Sequence, residues 1–253
     1  MGALNDLEGF GQAVWLDFVD RKFLEAGGLQ KLVDEDGLTG VTSNPSIFEK
    51  AMGHGDAYDS TLATFDKENP GAATIDRYEH LAIQDIKAAA DTLKPVYDKL
   101  DAKDGYVSLE VSPYISDDTD ATIAEAKKLW GMVDRPNLMI KIPGTLAGGP
   151  AISTAISEGI NVNVTLLFSI EAYVRVAEAY AAGLEKRVAE GKPIDRIASV
   201  ASFFVSRIDS TIDKAIDARL EKGDAEAEAL KAVRGKVAIA NAKMAYQWYL
   251  EFL

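Results

Sequence analysis

Six short β-like segments recur along this chain, at residues 13–18, 38–42, 107–111, 137–141, 161–165 and 198–203, and each is followed by helical periodicity. Strands alternating with helices call for βα units and a parallel sheet. The helical faces can be counted: Ile75, Tyr78, Ala82, Ile86, Ala89, Leu93, Val96 and Leu100 step by three or four residues throughout. Ile208, Ile212, Ile216 and Leu220 repeat the pattern, as do Leu230, Val233, Val237, Ala240, Met244 and Trp248, so the spacing predicts one helix for each set. Residues 46–104 are too long for a single crossover. They carry Gly53, Gly55, Pro70 and Gly71, which predicts extra short helices there. No linker, low-complexity tract or internal repeat interrupts the chain.

Parity within the strands separates two faces. Val107, Leu109 and Val111 share one side of their segment, while Ser108, Glu110 and Ser112 share the other. Asn161, Asn163 and Thr165 likewise oppose Val162 and Val164. A parallel strand covered by helices on both sides is apolar on both, so a polar side implies a lumen or crevice with hydrogen-bonding demands of its own. Polar groups also gather where strands end: Asp17 follows Val14-Trp15-Leu16, Asn44 follows Thr42-Ser43, and Lys141 closes Asn137-Leu138-Met139-Ile140 just before Ile142-Pro143.

Lys141 is the most informative of these. An ammonium at the tip of an apolar strand, held inside a barrel mouth, is expected to have a lowered pKa and to offer a free amine to a carbonyl, which suggests Schiff-base chemistry. The plainer reading is a lysine that snorkels into water. Asp17 and Asn44 also read as turn or cap groups, Glu110 as the ion-pair partner of a lysine, and Thr165 as a cap. Each residue alone favours the plain reading; together, at the rim where βα barrels carry their chemistry, they favour a site.

Composition narrows the classes. With 253 residues, 47% of them hydrophobic, the chain can bury a sizeable core and reads as an ordinary soluble protein. No apolar run is long enough to span a membrane, and Asp6 and Glu8 stand where a signal peptide is basic and then apolar, so a cytoplasmic location is expected. Cysteine is absent, which removes disulfides and thiolate chemistry, and His54 and His80 have no metal-ligand spacing, so no metal is expected. A net charge of −13 repels phosphate backbones and anionic membranes, so neither nucleic acid nor membrane is expected as a partner. A small phosphorylated ligand is still compatible with that charge, through a local arginine and helix N-termini.

Five stretches carry a family resemblance: Gly40-Val41-Thr42-Ser43-Asn44-Pro45-Ser46; Ser108-Leu109-Glu110-Val111-Ser112-Pro113; Asn137 to Pro143; Gly159 to Ser169; and Ser199 to Asp209. In these the chain resembles the transaldolases, more closely the longer bacterial forms, including those fused to glucose-6-phosphate isomerase. The resemblance implies an α/β fold, a (β/α)8 TIM barrel of the class I aldolase type, in a single domain over residues 1–253 with a helical insertion around 46–104. It implies transfer of a dihydroxyacetone unit from sedoheptulose 7-phosphate, or fructose 6-phosphate, to an aldose phosphate in the non-oxidative pentose phosphate pathway, without a cofactor. Carried over by motif, Lys141 is the Schiff-base nucleophile, and Glu110 and Asp17 exchange protons, Glu110 through a water positioned by Thr165. Both acids are expected to remain ionised beside the iminium. Asn44 and Asn163 bind substrate hydroxyls, while Ser202 and Arg207 grip the phosphate. Arg207 also reads as a surface ion pair with Asp209 or Asp213.

Family members continue beyond Leu253, so the chain is expected to lack the last two strands and a further phosphate-binding arginine, and to be weakly active or inactive alone. A homo-oligomer or a complementing C-terminal segment is the expected partner for its open edges. The alternatives are a lyase like fructose-6-phosphate aldolase, or an inactive barrel fragment acting as an assembly module.

Overall fold

A computed structural model describes residues 4–252; the outer bounds of the expected 1–253 domain lie outside them. At its centre is a parallel sheet whose six strands follow chain order: β1 (Trp15–Asp17), β2 (Gly40–Thr42), β3 (Tyr106–Glu110), β4 (Leu138–Pro143), β5 (Val162–Leu167) and β6 (Ser199–Phe203). Each of the six segments read from the sequence is a strand, with ends shifted by at most two residues; Lys141, expected to close its strand, lies inside β4 because the strand pairs on with β5 through Ile142 and Pro143. Helices α1 (Arg21–Glu25) and α2 (Gly28–Asp36) join β1 to β2. Three helices, α3 (Pro45–Met52), α4 (Asp59–Glu68) and α5 (Thr74–Lys99), fill the long segment before β3. Single helices then alternate with strands: α6 (Thr119–Val133), α7 (Gly148–Glu158) and α8 (Ile170–Ala189).

Beyond β6 run α9 (Ser206–Glu221), α10 (Ala227–Val233) and α11 (Val237–Phe252). The single helix expected from Leu230 to Trp248 is therefore two. Gly235 takes a left-handed φ of 70°, its N–H donates to Asp213, and Arg234 pairs with Asp217 at 2.8 Å, so the α9 surface holds the break in place. Hydrophobic steps continue across the break because both halves pack on neighbouring helices; periodicity alone cannot register one left-handed residue. Among the described residues, no helix is long and apolar enough to cross a membrane.

The parity argument holds across the sheet. Val41, Val107, Leu109, Leu138, Ile140, Val162 and Val164 face outward and are buried against α5, α6, α7 and α8, through residues such as Ile86, Leu93, Leu129, Ile152 and Val176. The opposite face starts apolar, with Tyr106 and Met139 packed against Trp15 and Val200, and turns polar toward the C-terminal strand ends. Trp15 lies flat over Gly40, where an added Cβ would meet the indole at 2.3 Å, so the floor requires glycine at that point. The sheet also curls toward this face. Asn163 on β5 donates to Ser108 on β3 at 2.9 Å, across β4. Two short side chains could not bridge strands roughly 9.6 Å apart on a flat sheet.

The three-helix segment before β3 is tied down by a buried charge cluster. Arg21 of α1 reaches Asp85 of α5 at 2.7 Å, donates to Thr61, Gln84 and the Leu81 carbonyl, and lies 4.3 Å from the centre of the Tyr58 ring; the Tyr58 hydroxyl completes the pairing of Asp85. Removing one partner strands the other in a dry setting. Arg21→Ala is therefore expected to cost about 3–5 kcal/mol in urea unfolding. Arg21→Met with Asp85→Leu should cost clearly less; equal losses would show that the unpaired charge is not the cause.

Candidate functional site

The sheet register places three chemical groups side by side. Glu110 on β3 is the neighbour of Lys141 on β4, which in turn neighbours Asn163 on β5. Every residue of β4 is buried, and Lys141 keeps only 6% of its surface, so its long apolar stem lies in the sheet face and its amine points across it. The Nζ donates to the Ser43 carbonyl at 3.1 Å and stands 3.5 Å from a Glu110 carboxylate oxygen. It does not snorkel into solvent.

Glu110 is largely buried, and that burial pushes its carboxyl above the ordinary glutamate range; the charge of Asp17 pushes the same way, while Lys141 and Arg207 pull it down. For this carboxyl the loss of water outweighs the pull of the nearby cation. Asp17 lies in register with Thr42 at the exposed end of β1, and among the described residues it forms no ion pair. Its charge reaches Glu110, and it does not touch Lys141.

A hydrogen-bonded chain continues the polar face. Ser202 donates to Asn163 Oδ1 at 2.7 Å, and the Asn163 amide donates to the Ser108 hydroxyl. Ser43 is buried and donates to the Ser108 carbonyl at 2.7 Å, which fixes the loop whose own carbonyl receives Lys141. Thr165 is buried on the same side as Asn163, and the buried Thr42 hydroxyl finds no hydrogen-bond partner among the described residues. Asn44 is the N-cap of α3: its side-chain oxygen accepts from Ile47 N at 3.1 Å and Pro45 opens the helix, so the cap reading holds and only the amide NH2 is left for another role.

Arg207 sits in the first turn of α9, exposed, with its guanidinium 4.5 Å from the centre of the Phe204 ring. The ion pairs with Asp209 or Asp213 are not formed. Those carboxylates accept from the backbone N–H groups of Ala238 and Gly235. Lys141, Glu110, Asn163 and Ser202 are thus joined within one polar face, whereas Asp17, Asn44 and Arg207 stand around its rim. Two participants escaped the sequence reading: the Ser43 carbonyl and the Thr42 hydroxyl. A carbonyl carries no sequence signal; Ser108 was already visible by parity with Glu110. Among the described residues no group of three or more His, Cys, Asp or Glu is placed to hold a metal ion. The arrangement suits a different chemistry, in which an amine beside a carboxyl adds to a carbonyl and passes on its proton.

A sequential parallel sheet, curled toward a polar face and wrapped by helices on the other, defines an α/β protein of the barrel type with its polar groups toward the C-terminal strand ends. The chain belongs to the Transaldolase/Fructose-6-phosphate aldolase family, whose profile matches residues 14–252. It is 50% identical over 252 residues to a transaldolase of Trichodesmium erythraeum, an alignment covering 99% of this chain and 66% of that protein. It is 52% identical to transaldolase 2 of Nostoc punctiforme, with the same two coverages, and 50% identical to a transaldolase of Thermobifida fusca, covering 98% and 65%. The chain spans 66% of the length of the first two of these relatives.

A pH consequence follows from Glu110. Its folded-state pKa is raised, so its contribution to stability is complete at low pH and is lost as pH rises through the folded value. Because Lys141 pulls that value down, Lys141→Met should raise it further in a carboxyl carbon NMR titration. A fall or no change would contradict the pairing.

Proposed function

We propose that this chain carries the Schiff-base centre of a transaldolase, transferring a dihydroxyacetone unit from a ketose phosphate, sedoheptulose 7-phosphate or fructose 6-phosphate, to an aldose phosphate. One observation carries the reading: a buried lysine amine 3.5 Å from a carboxyl, on the polar face of a curled parallel sheet. The names of the relatives support the transferase over the lyase that the family description also includes.

In this reading Lys141 Nζ attacks the ketose carbonyl, water leaves, and the protonated imine draws electrons from the bond that breaks. Glu110, its pKa raised by burial, donates and recovers the protons of carbinolamine formation and dehydration, with Thr165 positioning the water. Asp17, at the exposed end of β1, takes the proton from the hydroxyl on the cleaved carbon. Asn163 and the free amide of Asn44 bind sugar hydroxyls, and the unpartnered Thr42 hydroxyl suits the same kind of ligand. Ser202 and Arg207 bind the phosphate, Arg207 with the paired donors that a phosphate accepts.

The reading includes a single barrel-type domain with the α3–α5 segment inserted, and a cytoplasmic location among sugar phosphates. The outer edges of β1 and β6 pair with no other strand among the described residues, which supports a second copy or a complementing segment that pairs with them and completes the barrel. Light scattering should then show more than one copy, or capture of an added complementing segment. A folded monomer that captures none would argue against edge pairing.

The chemistry is tested by reductive trapping. Incubation with fructose 6-phosphate and borohydride should add a three-carbon unit at Lys141, read by intact mass and peptide mapping. Lys141→Met should abolish it, and Glu110→Gln should slow it by about 10²–10⁴-fold. No adduct on the unaltered chain, or label spread over surface lysines, would end the proposal. Comparing products with and without an aldose phosphate acceptor separates transfer from simple cleavage.

A further inference from the structure

Phe168 and Phe204 stand at the rim with no role in the chemistry above, and their placement depends on an irregular strand. Val164 of β5 pairs with Ala201, and Leu167 pairs with Phe203, so two residues, Thr165 and Leu166, oppose the single Ser202. This is a β-bulge. Leu166 occupies it with φ 61°, a left-handed conformation that a leucine adopts only when its surroundings hold it there. Strict alternation from Thr165 would send Phe168 toward the helices. The extra residue resets the parity: Leu167 is buried in the outer core, and Phe168 emerges on the side of Thr165.

Asn241 of α11 fixes the turn, its amide donating to the Phe168 carbonyl at 2.9 Å. On β6, Ser202 faces Asn163 and Phe203 packs outward on Tyr173, so Phe204 returns to the polar side. The rings of Phe168 and Phe204 then stack 5.0 Å apart at 17°, and the Arg207 guanidinium lies 4.5 Å from the centre of Phe204. A ring face attracts a cation without neutralising it, so the arginine keeps its charge and its donors for an anion. The two carboxylates nearest in sequence, Asp209 and Asp213, are held by backbone N–H groups instead.

We propose that Phe168 is a positioning residue: the Phe168–Phe204 stack, set by the Leu166 bulge, holds the Arg207 guanidinium ready for the phosphate monoester of the sugar. It acts through Phe204 and Arg207 and touches no reacting atom. The inference rests on the functional reading above for the phosphate-bearing substrate.

Inorganic phosphate is the probe, titrated into the full chain and followed by calorimetry and by the Arg207 Nε–H signal in NMR. That signal should be shifted by the rings before phosphate is added and should move when it binds. Phe168→Leu should raise the half-saturating phosphate concentration about three- to tenfold. Phe168→Tyr, which keeps the ring, should restore the native value, separating ring loss from a damaged fold. In an Arg207→Ala background Phe168→Leu should have no further effect. A native chain with no response at Arg207, an unchanged half-saturation in Phe168→Leu, or the same loss with and without Arg207 would each overturn the proposal. Reductive trapping is scored separately. Failed trapping with an intact phosphate series sinks the functional reading alone, and the opposite pattern sinks the positioning role alone.

Discussion

The contact between Lys141 and Glu110 is the constraint on which the site depends. Two titratable groups are held 3.5 Å apart with little water, and each needs the other. Breaking such a pair by removing one partner is costly, whereas keeping it places an amine next to a carboxyl, the pairing that the proposed Schiff-base chemistry requires. The rest of the polar face follows from accommodating them. Ser43 supplies a carbonyl for the ammonium, and Ser108, Asn163 and Ser202 satisfy one another across three strands.

The curl of the sheet makes this possible. On a flat sheet β3 and β5 would be too far apart for Asn163 and Ser108 to meet, and Glu110, Lys141 and Asn163 would stand parallel instead of converging. The outer apolar face is covered at the same time: Val107, Leu109, Ile140 and Val162 bury against α5 to α8, so the curl turns the polar groups toward one another and the apolar ones toward the helices. The floor of Trp15, Gly40, Tyr106, Met139 and Val200 closes the lower end, leaving the polar groups only the upper rim. Fold and chemistry are thus two faces of the same strands.

Much of this was legible in the sequence because strand parity is a strict period of two. Ser108 with Glu110, and Asn163 with Thr165, identified the polar face; Lys141, read as the tip of its strand, lies inside β4, which runs on through Ile142 to Pro143, yet it falls on that same face. The βα alternation gave all six strands. What escaped was whatever breaks a period or depends on distant partners. Leu166 adds one residue to β5 without any glycine to announce it, and Gly235 splits a hydrophobic run that reads as continuous. The raised pKa of Glu110 depends on how much water the assembled walls exclude, and no local pattern encodes that. Asn44 could be read as a cap or as a ligand group; the fold uses its oxygen for the first.

The most direct measurement is a crystal structure of the chain after reduction in the presence of dihydroxyacetone. The account predicts continuous density from Lys141 Nζ into a three-carbon unit, with its hydroxyls within hydrogen-bonding distance of Glu110 and Asn163. An unmodified Lys141 still paired with Glu110 alongside a labelled surface lysine, or a Lys141 side chain turned out of the polar face, would contradict it.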